Sequence, residues 1–365
     1  MASGWESASG SSGDGPHVGN LPARALPPTI REVAREAGVS PMTVSRVLTG
    51  RGYVADETAR RVRAVLERLD YQPNPVARLL RGRRSQLIGV TMPSLTSTVH
   101  RGIVAGLEEV LGGAGYEIVL GHLAYGRQPS STFVEIAQRQ HCDGFVLVPS
   151  RADAGKVAPS LNRPTVVAHS ALPGLECDAV LTDGQAAARS ATELLLERFG
   201  APVAFVGFAS GLSHEDRLLR GYLDAIRAAG VEARVVDSPP NEIAGAARVA
   251  ALLDRADEPR GFLFASTMHV FEGLGALVQA GRRIGHDVGV VATVTEEQQW
   301  TALLPEPIPL MVIPAREIGR RAGRLLLRRF EVAHGPSQVE RIPMHLQAPE
   351  PAWADRTGFL RMKRG

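Results

Sequence analysis

The chain has 365 residues and is 44% hydrophobic, which is enough for two or three domains with a sizeable packed core and excludes a chain that is disordered throughout. No stretch approaches the 18 or more consecutive apolar residues of a bilayer span, and the first thirty residues lack a basic start followed by an apolar run, so the expectation is a cytoplasmic protein with no membrane segment. The net charge of +3 conceals a division: Thr29 to Gln86 carries 12 Arg against 6 Asp and Glu, and the remaining 307 residues balance to −3, so the positive field marks a segment suited to a polyanion.

Residues 1–28, rich in Gly, Ser, Ala and Pro without periodicity, read as a disordered leader. From Thr29 the pattern turns helical. Ile30, Val33, Ala34 and Ala37 share one face, Thr29 can cap the start and Gly38 can end the helix. Ser40 and Pro41 then suit the cap and first position of a second helix with Val44, Val47 and Leu48 on its apolar side. A third begins near Asp56 and Glu57 and carries Val62, Val65, Leu66 and Leu69. Three short helices around a small core are expected over 29–73.

Asn74 and Pro75 open a segment, 74–85, whose helix of at most two turns is marginal in water and forms only with support. From Leu87 up to residue 346, short β-rich runs at 87–92, 117–122, 144–149, 165–169, 179–182, 203–208, 235–237, 261–265, 289–293 and 310–313 alternate with helical stretches around 101–112, 132–140, 185–199, 214–229, 242–254, 270–281 and 315–330, which implies parallel sheets with helices on both faces, enough for two similar α/β lobes. A ligand would sit at the carboxyl ends of the strands, between the lobes. Residues 347–365 read as a basic tail. Cys142 and Cys177 are too few for a disulfide framework or thiolate metal site and read as idle thiols.

Residues 29–90 carry AGVS, TVSRVL, the Tyr71-Gln72-Pro73-Asn74 turn, Ala77-Arg78 and Ile88-Gly89-Val90, and in their order and spacing they resemble the DNA-binding head and hinge of the LacI family of bacterial transcription regulators. The likeness continues through Ala114-Gly115-Tyr116, Asp143-Gly144, Asp183, Gly221-Tyr222 and the helix around 316–327. It implies a helix-turn-helix head, a hinge helix, and a two-lobed core like the periplasmic sugar-binding proteins. It also implies a homodimer on a palindromic double-stranded operator, acting as a repressor whose affinity is controlled by a small effector, a sugar or sugar acid, in the cleft.

Carried onto this chain, the family's pattern makes Pro41, Met42 and Arg46 the base-facing positions, with Thr43 and Ser45 on phosphates and the cap residue Ser40 also at the DNA-binding site. A guanidinium at Arg46 can bond guanine O6 and N7 together; the competing reading is a plain surface arginine. Pro41 and Met42 offer no side-chain donor, so readout there is apolar. In the hinge, Asn74, Ala77 and Arg78 accompany Leu80, which stands where the family wedges a leucine into the minor groove. Leu80 can also be read as an ordinary linker residue.

The effector side departs from the family's sugar clamp. Ser97-Thr98-Val99-His100 stands where sugar-responsive members carry Asn-Pro-Phe-Phe, His169-Ser170 replaces an Asp-Arg pair, Ser266-Thr267 replaces Asn-Asp, and Ala292 to Thr295 replaces Gly-Phe-Asp-Asp. Asp183 is kept and Arg217 stands close to a common ligand arginine. The candidate effector residues are therefore Ser97, His100, His122, His169, Asp183, Arg217, Thr267, His269 and Thr295. PSLTS at 93–97 and GYEIVLGHLAYG at 115–126 resemble the gluconate-responsive branch, and a sugar acid would suit histidine donors, although these histidines also read as polar cleft residues without a shared ligand.

Neither a metal nor a cofactor is expected. The chain lacks a dinucleotide-binding glycine fingerprint, a phosphate-binding loop, a nucleophile elbow and a HExxH motif, so an enzyme is the weaker class. A solute-binding transport component would share the core and not the basic head. A regulator of the same fold that has lost its small-molecule response stays open, and a long tetramerisation heptad is missing from the C-terminal end, which favours a dimer.

Overall fold

The computed structural model describes residues 28–50, 52–71, 84–122, 130–139, 141–150, 153, 163–172, 174–207, 213–238, 245–296, 301, 307–332 and 335–348, which fall into two compact units that divide after residue 83. The hinge residues Asn74, Ala77, Arg78 and Leu80, the leader up to residue 27 and the tail beyond residue 348 lie outside the described residues.

In the first unit, α1 (Ile30–Ala37) opens on a capping box: Thr29 Oγ1 accepts from the Glu32 amide at 3.3 Å while the Glu32 carboxylate accepts from the Thr29 amide and hydroxyl. Gly38 closes it at φ 64°, a left-handed conformation that glycine adopts without penalty. Only Gly38, Val39 and Ser40 separate it from α2 (Pro41–Thr49), which Ser40 caps through the Thr43 amide at 3.1 Å. The third helix, α3 (Asp56–Arg68), completes a core of Val33, Ala34, Ala37, Val44, Val62 and Val65, and Arg61 Nε donates to the Ala37 carbonyl at 2.9 Å to fasten α3 to the end of α1.

The second unit contains two six-stranded sheets. The first sheet runs, in chain order, through β1 (Leu87–Met92), β2 (Glu117–His122), β3 (Gly144–Leu147), β4 (Thr165–His169), β5 (Asp178–Asp183) and β11 (Val339–Pro343), in spatial order β11-β5-β4-β3-β1-β2, all parallel. The second holds β6 (Val203–Gly207), β7 (Arg234–Asp237), β8 (Gly261–Phe264), β9 (Gly289–Thr295), β10 (Leu310–Ile313) and β12 (His345–Gln347), in the order β12-β10-β9-β8-β6-β7, with only the edge strand β12 antiparallel. The inner strands β4, β6 and β9 are buried along their whole length, as strands covered on both faces must be.

Between the strands lie α4 (Thr98–Gly113), α5 (Ser130–Arg139), α6 (Gln185–Phe199), α7 (Ser213–Ala229), α8 (Gly245–Leu253), α9 (Thr267–Gln279) and α10 (Ala315–Glu331). The chain crosses between the lobes three times. α6 leaves the first sheet and packs on α7 and the second, α10 leaves the second sheet and packs on α4 and β4 of the first, and β11 passes directly into β12. The return of α10 rests on a close helix contact. A Cβ on Gly106 of α4 would lie 2.0 Å from the Arg316 carbonyl oxygen, and one on Gly319 of α10 would lie 2.0 Å from the Ile103 carbonyl oxygen. Two bonds of 2.6 Å from Arg329 to the buried carboxylate of Asp178 anchor the far end of α10 to β5.

The strands β11 and β12 have no counterpart among the runs expected from the sequence. α4 and α9 also begin about three residues earlier than periodicity indicated, because Ser97 and Ser266 cap them through the amides of His100 and His269. Cys142 and Cys177 are free, and burial pushes their thiols up to about 11 and about 12, far from a reactive thiolate. No helix among the described residues is long and apolar enough to cross a membrane.

Candidate functional sites: the head and the inter-lobe cleft

The head presents the start of α2 to solvent. Pro41, Met42 and Arg46 are exposed, Met42 by 64%, while Val44 points into the core and fixes which face of the helix is offered. The first turn of α2 contains no acidic residue, so the positive end of the helix dipole and the Met42 amide, which neither Pro41 nor the Ser40 cap takes up, are free to meet phosphate. Ser40 Oγ lies 3.0 Å from Thr43 Oγ1, so the two hydroxyls share one cap, and Ser45 is half-buried with a partner of its own. The stem of Arg46 runs over Gly52, where an added Cβ would stand 3.5 Å from its Cδ and Nε, so the guanidinium is directed by the turn that follows α2. That turn also carries Tyr53, 90% exposed, which the sequence reading missed; an aromatic next to a glycine at a loop tip was the signal available.

The cleft is built where β4 and β5 end and α7 begins. Asp183, the last residue of β5, accepts two bonds from Arg217 of α7, from Nε at 2.8 Å and Nη2 at 2.6 Å, with both side chains a quarter exposed. Burial alone would raise the Asp183 carboxyl, but the Arg217 bonds, the Gln185 amide and the surrounding arginine charge outweigh it and hold it below the ordinary carboxylate range. His169, the last residue of β4, has a left-handed backbone at φ 72°, and its Nδ1 lies 2.7 Å from Thr182 Oγ1. Its ring packs against that of His214 with centroids 3.9 Å apart. His100, in the first turn of α4, bonds through Nδ1 to the Ser94 carbonyl at 3.0 Å.

All three imidazoles are held neutral. Burial pushes His100 down to about 4 and, with the charge of His100 adding to it, His214 down to about 3. Burial, then His214 and His100, depress His169 as well. His214 is the residue that sequence reasoning missed, since it stands in a run, SHEDR, that reads as an ordinary polar helix start. Its Nε2 lies 3.6 Å from Glu215 Oε1, its amide reaches Ser170 Oγ at 3.4 Å, and its buried Nδ1 has no hydrogen-bond partner among the described residues.

The structure thus pairs Asp183 with Arg217 and, separately, His169 with His214, and places His100 within electrostatic reach of the two histidines. The remaining expected residues behave differently. His269 uses both ring nitrogens inside its own lobe, Nδ1 with Ser266 Oγ at 2.9 Å and Nε2 donating to the Ser238 carbonyl at 2.9 Å, so neither is left for a ligand and the residue is a strap between α9 and the end of β7. Thr267 Oγ1 donates to the Thr293 carbonyl at 3.3 Å, Thr295 is buried at the end of β9, and Ser97 acts as the cap of α4. His122 is exposed at the end of the edge strand β2. Among the described residues, no group of three His, Cys, Asp or Glu is arranged to hold a metal ion. A cavity of about 480 Å³ lined by Arg198, Arg260 and Arg282 lies at the opposite, amino ends of β6, β8 and β9, away from the strand ends where ligands bind in such folds.

A compact helix-turn-helix head with an exposed recognition helix, joined in one chain to a two-lobed parallel α/β core, defines a DNA-binding regulator with a ligand-binding architecture. Residues 29–74 match the model of the bacterial regulatory proteins of the lacI family, and residues 192–348 match the periplasmic binding protein-like domain. The Ribose operon repressor of Bacillus subtilis (strain 168) is 26% identical over 300 residues, covering 82% of this chain and 90% of that protein. The HTH-type transcriptional repressor CytR of Escherichia coli (strain K12) is 27% identical over 316 residues, covering 84% and 91%. The structure of the Lac repressor dimer bound to operator and the anti-inducer ONPF shares the fold, with a TM-score of 0.72 at 21% identity over 88% of this chain and 98% of that one. The chain thus joins a DNA-binding head that matches the lacI family of bacterial regulatory proteins to a periplasmic binding protein-like domain, and it is a DNA-binding transcriptional regulator.

Proposed function

We propose that the protein is a cytoplasmic repressor that binds a palindromic operator as a homodimer and is controlled by a small effector between the two lobes. Its domains are the head over 29–73, a hinge over 74–85 and the effector and dimerisation core over 86–346. Thr43 and Ser45 meet phosphates beside the cap residue Ser40, Pro41, Met42 and Arg46 meet base edges, and Asn74, Ala77, Arg78 and Leu80 act in the minor groove. The observation that carries this reading is the exposed, cation-bearing face of α2 on a segment whose net charge is +6 within a chain of +3. The Lac repressor of similar fold is a dimer bound to operator, and both sequence relatives are repressors by name, which supports the same roles here.

Selection of genomic fragments by the purified protein at physiological salt tests the reading. A shared palindrome with a flexible central step supports head, hinge and symmetry together. Retention without a common motif leaves charge as the sole basis of binding and removes the claim of sequence specificity.

A second reading, a regulator without a small-molecule response, is favoured by one feature: Asp183 and Arg217 already satisfy each other with two bonds. Operator affinity that no small molecule alters would decide for it.

A further inference from the structure

Resting on the reading of residues 74–85 as a hinge, we propose that Arg84 is a positioning residue for operator recognition, because its seat on the end of α10 fixes the point at which the hinge leaves the core. The seat is made of three contacts. The Arg84 guanidinium lies over the Phe330 ring, with Cζ 4.5 Å from the centroid, while Nη1 donates to the Tyr116 hydroxyl at 3.0 Å and Nη2 to the Phe330 carbonyl at 2.6 Å. The Phe330 and Tyr116 rings are stacked on each other with centroids 5.2 Å apart, so one aromatic pair takes up both the face and the edge of the guanidinium.

The end of α10 calls for a cation of this shape. Phe330 stands in the last turn of the helix, where carbonyls have no partner within the helix and the negative end of the dipole favours positive charge. Arg84 supplies the donor, the charge and a planar face together, whereas a lysine would bring charge without the face or the fork. The element that receives it is itself fixed. α10 packs along α4 and β4, and the neighbouring Arg329 is held by the Asp178 carboxylate of β5.

The next two residues are locked independently. The buried Asp143 carboxylate, just before β3, accepts from the Ser85 amide at 3.0 Å and the Gln86 amide at 2.8 Å, and the Gln86 carbonyl accepts from the Glu117 amide at 2.8 Å. Gln86 is left-handed at φ 63°, a conformation that a residue with a side chain keeps only where its surroundings over-determine it. Asp143 therefore orders the chain from Ser85 onward, and Arg84 extends that order by one residue on the hinge side. A hinge helix of at most two turns is marginal in water, so every loose residue between it and the core adds to the ordering required on DNA. The Arg84 seat completes that ordering in the free protein.

Titration of the full-length protein with the palindrome recovered by fragment selection, and with a scrambled duplex across a salt series, tests the inference. Arg84→Ala should weaken operator binding about tenfold, the effect of ordering one backbone residue, and leave nonspecific affinity and the salt slope unchanged. Arg84→Lys keeps the charge and should be as weak as Arg84→Ala. Phe330→Leu removes the stacking face from the core side and should also weaken operator binding, while the double variant Arg84→Ala/Phe330→Leu should bind no more weakly than Arg84→Ala alone. Full affinity in Arg84→Lys with a reduced salt slope in Arg84→Ala would make Arg84 a phosphate contact and overturn the seat. Unchanged operator affinity in Arg84→Ala, or additive losses in the double variant, would overturn it too and leave the function proposed above standing. A wild-type protein that retains no shared palindrome overturns both.

Discussion

Asp183 and Arg217 join the two lobes by a bidentate ion pair, one partner ending β5 and the other standing in the second turn of α7. Partly buried pairs of this geometry are more consequential to break than to form, since the survivor is left charged and under-solvated. Asp183→Asn is expected to lower core stability by about 1–2 kcal/mol, the low end of the range because each side chain is a quarter exposed. The carboxyl is held below its ordinary value, so its contribution is present above the ordinary carboxylate range and lost as pH falls through the lower folded value. Urea unfolding of both proteins at pH 7.5 and pH 3.5 checks this: the gap between them should narrow at the lower pH, and an unchanged gap would remove the ion pair as its source.

The buried histidines give a second dependence on pH, acting over a higher range. Each is neutral in the folded chain, whereas in the unfolded chain each titrates near 6.5. The unfolded state therefore takes up protons first as pH falls, and stability declines from about 6.5 down to the folded value, which for His100 is about 4. His100 alone accounts for about 3 kcal/mol over that interval. The denaturation midpoint of the protein should fall steadily between pH 7 and pH 5, and His100→Gln should flatten that slope. A slope identical in the variant would show that another group titrates.

How much of this was legible in the sequence differs between the two units. In the head, caps, helices and core are set by local signals within a few residues, such as Thr29 with Glu32 and Ser40 with Pro41, and the structure places them there. In the core, alternation revealed two parallel sheets, while β11 and β12 were not legible, because Val339–Pro343 and His345–Gln347 are short runs that become strands only by pairing with the distant β5 and β10. The cleft was half legible. Asp183 and Arg217 were found by likeness to a family, but that they bond each other is a tertiary fact. The role of His269 was hidden for the same reason, since Ser238 lies 31 residues away in the chain.

Arg46 is exposed and steered by Gly52, so it is the head residue whose loss should alter sequence preference rather than general affinity for DNA. Arg46→Ala is expected to lose about 1–3 kcal/mol of discrimination at one base pair of each half-site. The salt dependence of nonspecific binding should change little, by no more than one phosphate contact. A binding selection on randomised operators reads both quantities, and an unchanged preference would exclude Arg46 from base readout.

Leu80 makes a different prediction because a minor-groove wedge acts only on a bent specific site. Leu80→Ala should weaken operator binding while nonspecific, salt-dependent binding is kept. Gel-shift titrations on operator and on scrambled duplex across a salt series distinguish this from an ordinary linker leucine, for which both would change equally or not at all.

The contact between α4 and α10 tests the packing that returns the chain to the first lobe. Gly106 and Gly319 face each other's helix backbone, and at both positions the atom that an added Cβ would meet, at 2.0 Å, is a carbonyl oxygen of the opposite helix. Backbone cannot turn aside as a flexible side chain can, so Gly106→Ala must push the helices apart, at about 3 kcal/mol for an overpacked site. Near the end of the same helix, Gly112 has nothing within 4 Å of the added carbon. There the same substitution only removes backbone freedom from the unfolded chain and should stabilise by about 0.5–1 kcal/mol. Opposite signs in urea melts of the two variants would establish the close helix approach, and a stabilising Gly106→Ala would show that α4 and α10 are not in contact along this seam.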